Sequence, residues 1–210
     1  MPAPGLVVVG ASLAGLRAVE AARKTGYDGS VTLVGAEEHL PYDRPPLSKA
    51  FLNVGSDAEP TTLRTLDELQ ALRIRLRLGT SASGLDPAAR QVCLGGDTLA
   101  YQSLVIATGA QARELPGQRL AGVHPLRTLE DARHIRDALD AGARTVIVGA
   151  GFIGSEVAAA ARKRALPVTL VEAAELPLVR AVGQQKAGAS AALHARLSSR
   201  AIESDGLRSS

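Results

Sequence analysis

Thr145-Val146-Ile147-Val148-Gly149-Ala150-Gly151-Phe152-Ile153-Gly154 decides the fold. Its first four residues are a short run of β-branched side chains, the pattern of a buried parallel strand. The GxGxxG spacing that follows opens a helix predicted from Phe152 to Arg164. Gly149 permits a tight turn, Gly151 lets the backbone approach a pyrophosphate, and Gly154 lets the helix pack against the strand. An anion held there faces the positive end of the helix. Val168-Thr169-Leu170-Val171 is the next strand, and Glu172 ends it. An acid about 20 residues past the glycines can accept from ribose hydroxyls, and it repels a 2′-phosphate. Glycine spacing alone is weak. Strand, helix, strand and acid in register make it specific, against the competing reading of an ordinary strand–turn–helix.

The same pattern stands at the N-terminus. Leu6-Val7-Val8-Val9 leads into Gly10-Ala11-Ser12-Leu13-Ala14-Gly15, a helix is predicted from Leu13 to Lys24 and stopped by Gly26, and Val31 to Val34 is the next strand. This fingerprint is degenerate. Ser12 replaces the middle glycine and adds a Cβ and a hydroxyl where backbone should meet phosphate. Position 36 is alanine, so Glu37 is the expected ribose ligand. The repeat predicts an α/β chain of two tandem Rossmann-like, three-layer dinucleotide-binding domains, the second incomplete. The expected boundaries are 1–112, 113–195 and a divergent polar tail over 196–210.

Between the repeats, Leu40 to Ser48 reads as a proline-punctuated loop, neither helix nor central strand. Arg73 to Leu78 alternates strictly and predicts a strand with three arginines on one face. That face is either solvated or a docking patch for an acidic protein. Gly95-Gly96-Asp97 between Val92–Leu94 and Leu99–Tyr101 signals a hairpin. Leu104 to Ile106 reads as a separate buried strand, Gln111 to Gly122 as a linker, Leu129 to Leu139 as a helix, and Gln184 to Ala195 as helix-like.

Composition removes several classes. The 210 residues are 46% hydrophobic and 21% charged, within the soluble globular range. No apolar run approaches the ~20 residues of a membrane span, and no basic leader precedes the first strand, so a cytoplasmic location is expected. Net charge is +3 and aromatics are only 2%, which argues against nucleic acid. Cys93 is the only cysteine, which excludes a CxxC pair and a cysteine metal site, and on the hairpin strand it reads as a small buried hydrophobe. His39, His124, His134 and His194 have no ligand spacing, so no metal site is expected.

Val7 to Ala18, Gly26-Tyr27-Asp28-Gly29, and above all Pro41-Tyr42-Asp43-Arg44-Pro45-Pro46-Leu47-Ser48-Lys49 resemble the FAD-dependent ferredoxin reductases. Ala107-Thr108-Gly109, Leu126 to Ala132 and Val148 to Glu156 fit the same family. These are NADH-dependent reductase components of Rieske dioxygenase and cytochrome P450 systems, similar to the wider pyridine nucleotide–disulfide oxidoreductases. The resemblance implies FAD in the 1–112 domain, NAD(H) in the 113–195 domain, and a ferredoxin-type iron–sulfur partner. It places Ala14, Arg44, Lys49, Ala82 and Arg127 along the FAD site, with Thr108 and Gly109 beside it. A cation such as Lys49 near a flavin stabilises the negative charge of reduction. Glu156 is either a favourable anion at a helix N-terminus or, as the resemblance implies, the partner of Lys49 across the two domains. Without a second cysteine there is no thiol relay, so electrons are expected to leave the flavin directly.

The sequence also departs from that family. The match fades after Gly183, and neither the second FAD segment with its Gly-Asp pair nor a C-terminal domain is present. A truncated, catalytically inactive nucleotide-binding fragment is therefore the alternative reading. A flavoprotein of the apoptosis-inducing-factor type shares the fold but fits the proline loop less well.

Overall fold

In a computed structural model, residues 4–55, 59, 61–115, 120–173, 183 and 200–203 are described. Contacts divide the chain into two compact units: Met1–Asp43 with Thr61–Gln111, and Arg44–Pro60 with Ala112–Ser210. The proline segment from Arg44 therefore groups with the second unit, whereas the sequence reading keeps it in the 1–112 stretch.

In the first unit, β1 (Gly5–Val9) pairs in parallel with β2 (Val31–Val34), which pairs in parallel with β3 (Ile74–Arg77). The other edge of β1 takes the C-terminal part of β6 (Asp97–Ile106), also in parallel. β1 is apolar throughout because both its faces are covered. Val8 packs with Leu16 and Val19 of α1 (Leu13–Lys24), with Leu33, and with Leu69 of α2 (Leu66–Ala71). Val7 and Val9 point the other way, to Val34 and to Val92 and Leu94 of β5 (Gln91–Leu94). With β4 (Gly84–Asp86) and the start of β6, β5 forms an antiparallel meander, giving the sheet order β3-β2-β1-β6-β5-β4. Gly95 and Gly96 both have positive φ, 56° and 107°, as a primed hairpin turn requires.

Three sequence expectations change here. Leu99–Tyr101 and Leu104–Ile106 belong to one ten-residue strand, β6. Its partners switch at Tyr101 from β5 to β1, with a register irregularity that skips Gln102. Arg73 is not in β3: it takes φ 51°, and only Arg75 and Arg77 lie in the strand. Arg77 pairs with Asp97 at 3.0 Å, so the three-arginine face does not form. Cys93 is half-buried rather than enclosed.

Arg23, on the last turn of α1, closes the first strand–helix–strand unit. Its guanidinium donates to the carbonyls of Tyr27, Gly29, Leu72 and Arg73. All four sit where the chain turns back toward a strand, so one side chain satisfies carbonyls that the sheet does not.

In the second unit, the proline segment is helical after all, over two short 3₁₀ turns, Pro45–Ser48 and Ala50–Leu52. Prolines at the first positions of a turn lose no hydrogen bond. α3 (Leu129–Asp140) begins with a capping box between Thr128 and Asp131. β7 (Thr145–Val148), α4 (Phe152–Lys163) and β8 (Val168–Glu172) repeat the strand–helix–strand unit, with β7 and β8 parallel. β9 (Arg200–Glu203) adds to β8 in parallel, giving the order β7-β8-β9. The expected polar tail thus contributes a strand, while the helix-like stretch 184–195 lies outside the described residues. Arg164 straps the unit together: it donates to Asp140 at 2.7 Å and to the Leu52 carbonyl at 2.7 Å. The molecule is α/β, with a Rossmann-like strand–helix–strand in each unit.

Candidate functional site

The two glycine turns are built alike. Gly10 N–H donates to the Val34 carbonyl at 2.8 Å, and Gly149 N–H donates to the Val171 carbonyl at 2.7 Å. Both first glycines need positive φ, 115° and 105°. Both last glycines need the absence of a side chain. A Cβ on Gly15 would lie 1.8 Å from the Gly10 carbonyl oxygen, and one on Gly154 would lie 2.0 Å from that of Gly149. Gly10 is constrained further by β6, since its Cβ would meet the Ala107 carbonyl oxygen at 2.0 Å.

The middle positions differ from this. Ser12 has φ −116° and ψ −165°, and Gly151 has φ −77° and ψ −174°, extended backbone that any residue adopts. A Cβ on Gly151 meets nothing within 4 Å. The fold therefore does not demand a glycine at either middle position, and the open space before Gly151 fits a group that comes close to backbone. The next residues, Leu13, Phe152 and Ile153, are about half exposed despite being apolar, and Ala14 is exposed.

Each strand-end acid has a hydrogen-bond partner. Glu172 accepts from Ala150 N–H at 2.7 Å, which draws its carboxylate against the glycine turn, and from Ala173 N–H at 2.8 Å. Glu37 accepts from the Tyr42 hydroxyl at 2.5 Å. Tyr42 is 5% exposed, and sequence reasoning attached no role to it.

In the first unit, Thr108 and Gly109 are exposed directly after β6, Gly109 with φ 70°, and Ala82 is exposed ahead of β4. In the second, Arg44 donates to the Arg127 carbonyl at 2.7 Å, linking two residues that the family resemblance singles out. Arg127 N–H is itself held by Asp131 at 3.0 Å.

Lys49 and Glu156 meet, Nζ to Oε1, at 3.2 Å. They do so inside one compact unit, not across two, because the 3₁₀ segment belongs with α4. The second carboxylate oxygen of Glu156 accepts from the hydroxyl of Ser48, which is 7% exposed. The spacing of Ser48 from the motifs carries no signal that would have named it. Among the described residues no three metal-ligating side chains cluster, although the His124 and His134 rings lie 5.6 Å apart. No helix among the described residues is long and apolar enough to cross a membrane.

Rhodocoxin reductase of Rhodococcus erythropolis is 41% identical to the chain over 186 residues, which is 87% of this chain and 44% of that protein. The ferredoxin–NAD(+) reductase subunit of a benzene 1,2-dioxygenase system from Pseudomonas putida is 42% identical over 183 residues, 86% of this chain and 44% of that one. Among solved structures, the ferredoxin reductase for the CYP199A2 system from Rhodopseudomonas palustris matches with a TM-score of 0.88 at 34% identity, covering 96% of this chain and 50% of that chain. The reductase in a covalent putidaredoxin reductase–putidaredoxin complex matches with a TM-score of 0.87 at 37% identity, covering 97% and 50%. The chain spans about half the length of these relatives. The sequence profile of the pyridine nucleotide-disulphide oxidoreductases matches residues 4–204, and the chain belongs to that family.

Proposed function

We propose that this chain supplies the nucleotide-binding units of an NADH-dependent flavoprotein that passes electrons to a ferredoxin-type iron–sulfur protein. The observation that carries the reading is the ion pair of Lys49, from the proline segment, with Glu156 of the helix that follows an intact glycine turn. Relatives named as ferredoxin reductases at 41–42% identity support the same assignment.

The residues fit the cofactors. In the first unit, Gly10, Ser12, Leu13, Ala14 and Gly15 would hold the pyrophosphate end of FAD at the start of α1, and Glu37 its ribose. In the second, Gly149, Gly151, Phe152, Ile153 and Gly154 would hold NAD(H) at the start of α4, and Glu172 its ribose. Arg44, Ala82, Thr108, Gly109 and Arg127 remain assigned to FAD on family resemblance. A bound flavin supplies the chemistry of taking a hydride and returning single electrons. Lys49 provides positive charge, and Glu156 keeps that ammonium oriented. Glu172 favours NADH over NADPH, because a carboxylate facing a 2′-phosphate costs on the order of a few kcal/mol.

The test is anaerobic mixing of the chain, saturated with FAD, with NADH or NADPH. Flavin absorbance bleached by NADH and restored by an oxidised ferredoxin-type protein is the expected result. No FAD uptake, no bleaching, or equal use of NADPH would count against the corresponding part of the proposal.

A further inference from the structure

We infer that Ser48 is a positioning residue: its buried hydroxyl fixes the Glu156 carboxylate so that Lys49 has a defined partner. This rests on the reading of Lys49 and Glu156 as the charged pair that serves the flavin.

The ion pair does not hold itself in place. The Lys49 side chain is 57% exposed and that of Glu156 30%. A solvated pair of this kind contributes about 0–1 kcal/mol and restrains two long side chains poorly. Ser48 has the opposite properties. It is 7% exposed, has one side-chain torsion, and sits on a turn fixed by Pro45 and Pro46. Leu47 N–H donates to the Arg44 carbonyl at 3.0 Å and Lys49 N–H to the Pro46 carbonyl at 3.0 Å, so the turn is closed on both sides of Ser48. Leu47, Phe51 and Leu52 of the same segment are buried, which anchors it.

The hydrogen bond has a defined direction. An ionised carboxylate only accepts, so the serine donates, and the bond is charge-assisted. Among the described residues, the other acceptor near Ser48 Oγ is the Pro45 carbonyl at 3.5 Å, the outer limit of a hydrogen bond. Glu156 is thus gripped at one oxygen from the buried side, by Ser48, and offers the other to Lys49 on the exposed side. Ser48 and Lys49 are consecutive on one turn, so their spacing is set by backbone rather than by side-chain torsions. Removing the hydroxyl leaves the Glu156 carboxylate, among the described residues, with the exposed Lys49 as its remaining side-chain partner.

The test uses the full chain, isotopically labelled. The wild type should show a nuclear Overhauser contact between the Lys49 ε-methylene and Glu156 γ-methylene protons. Ser48→Ala should lose it with the rest of the spectrum intact, and Ser48→Thr, which keeps a hydroxyl, should retain it. An undiminished contact in Ser48→Ala overturns the inference. A stability cycle covers the case of poor spectra. Ser48→Ala should lower the urea midpoint in the wild-type background and leave it unchanged in Glu156→Ala, whereas equal shifts in both backgrounds overturn it. With FAD bound, Ser48→Ala should slow the limiting rate of bleaching about 3- to 10-fold, the equivalent of one net hydrogen bond, with NADH half-saturation unchanged. Failure of the wild type to bleach sinks the functional reading and leaves the contact and the cycle to decide Ser48.

Discussion

At the first turn α1 starts from Ser12, and the acid that follows the second strand accepts from a tyrosine hydroxyl. At the second, α4 starts from Gly151, and the acid is held by a backbone N–H of the turn itself. The backbones are otherwise equivalent, down to the bond from the first glycine to the second strand. The difference separates two kinds of glycine. The outer ones answer to the fold, through positive φ or contact with a carbonyl oxygen. The middle one does not, so its identity reports on what must approach the turn from outside. The acids divide similarly. Glu172 accepts from the backbone of its own turn, and Glu37 accepts from a side chain, the Tyr42 hydroxyl.

The severest test of this division is a methyl group at the outer positions. Gly15→Ala and Gly154→Ala should each destabilise the chain by about 1–3 kcal/mol, as overpacking does. Urea denaturation would show it, and an unchanged midpoint would erase the distinction. At the middle position the fold should tolerate change while binding suffers. Gly151→Ser is expected to keep stability within about 0.5 kcal/mol and to weaken NADH about tenfold, or about 1.4 kcal/mol, by calorimetry. The reciprocal Ser12→Gly should tighten FAD without altering the midpoint. Equal effects of Gly151→Ser on stability and binding would remove the contrast.

The acids sharpen the comparison further. Tyr42→Phe should cost about 1 kcal/mol, since it deletes one hydrogen bond to a carboxylate. Glu172 accepts from two backbone N–H groups, bonds that no side-chain replacement deletes directly. The smallest effect concerns Glu20 on α1. Burial opposes its charge, but hydrogen bonds and charge from Arg17 and Arg64 outweigh burial and hold its carboxyl below the usual range. A depressed folded value means that this contribution is complete above the unfolded value of 4.5 and is lost as pH falls through the lower folded one. Arg64→Ala should therefore cost about 0.5 kcal/mol at neutral pH and progressively less in acid. A penalty that grows on acidification would reverse the sign.

Both strand–helix–strand units were legible because glycine spacing and apolar runs are local signals. β6 was not, and the reason is specific. Gln102 and Ser103 break the apolar pattern where the strand exchanges one neighbour for another, so half of it obeys the meander and half the parallel sheet. The proline segment read as loop because prolines exclude α-helix, yet they suit a single 3₁₀ turn. Arg73 was misplaced because alternation cannot report a left-handed residue. Lys49 and Glu156 were found through family resemblance and placed in separate domains, since no local pattern tells which unit an irregular segment joins. Tyr42 and Ser48 stayed silent for a related reason: each acts on a carboxylate that only folding brings near.

The order in which β1 acquires its neighbours has a consequence for synthesis. β2 can add to one edge early, but the other edge waits for Leu104–Ile106. At about 5–20 residues per second, a delay of about 100 residues keeps that edge open for roughly 5–20 s. Throughout, Leu6–Val9 is an uncharged strand with unpaired backbone, which invites association with other chains. Ribosome-arrested chains halted before residue 104 should therefore bind chaperone or aggregate on release, and those extended well past 106 should not. The strand that anchors the finished sheet is also the segment left longest without its full complement of neighbours.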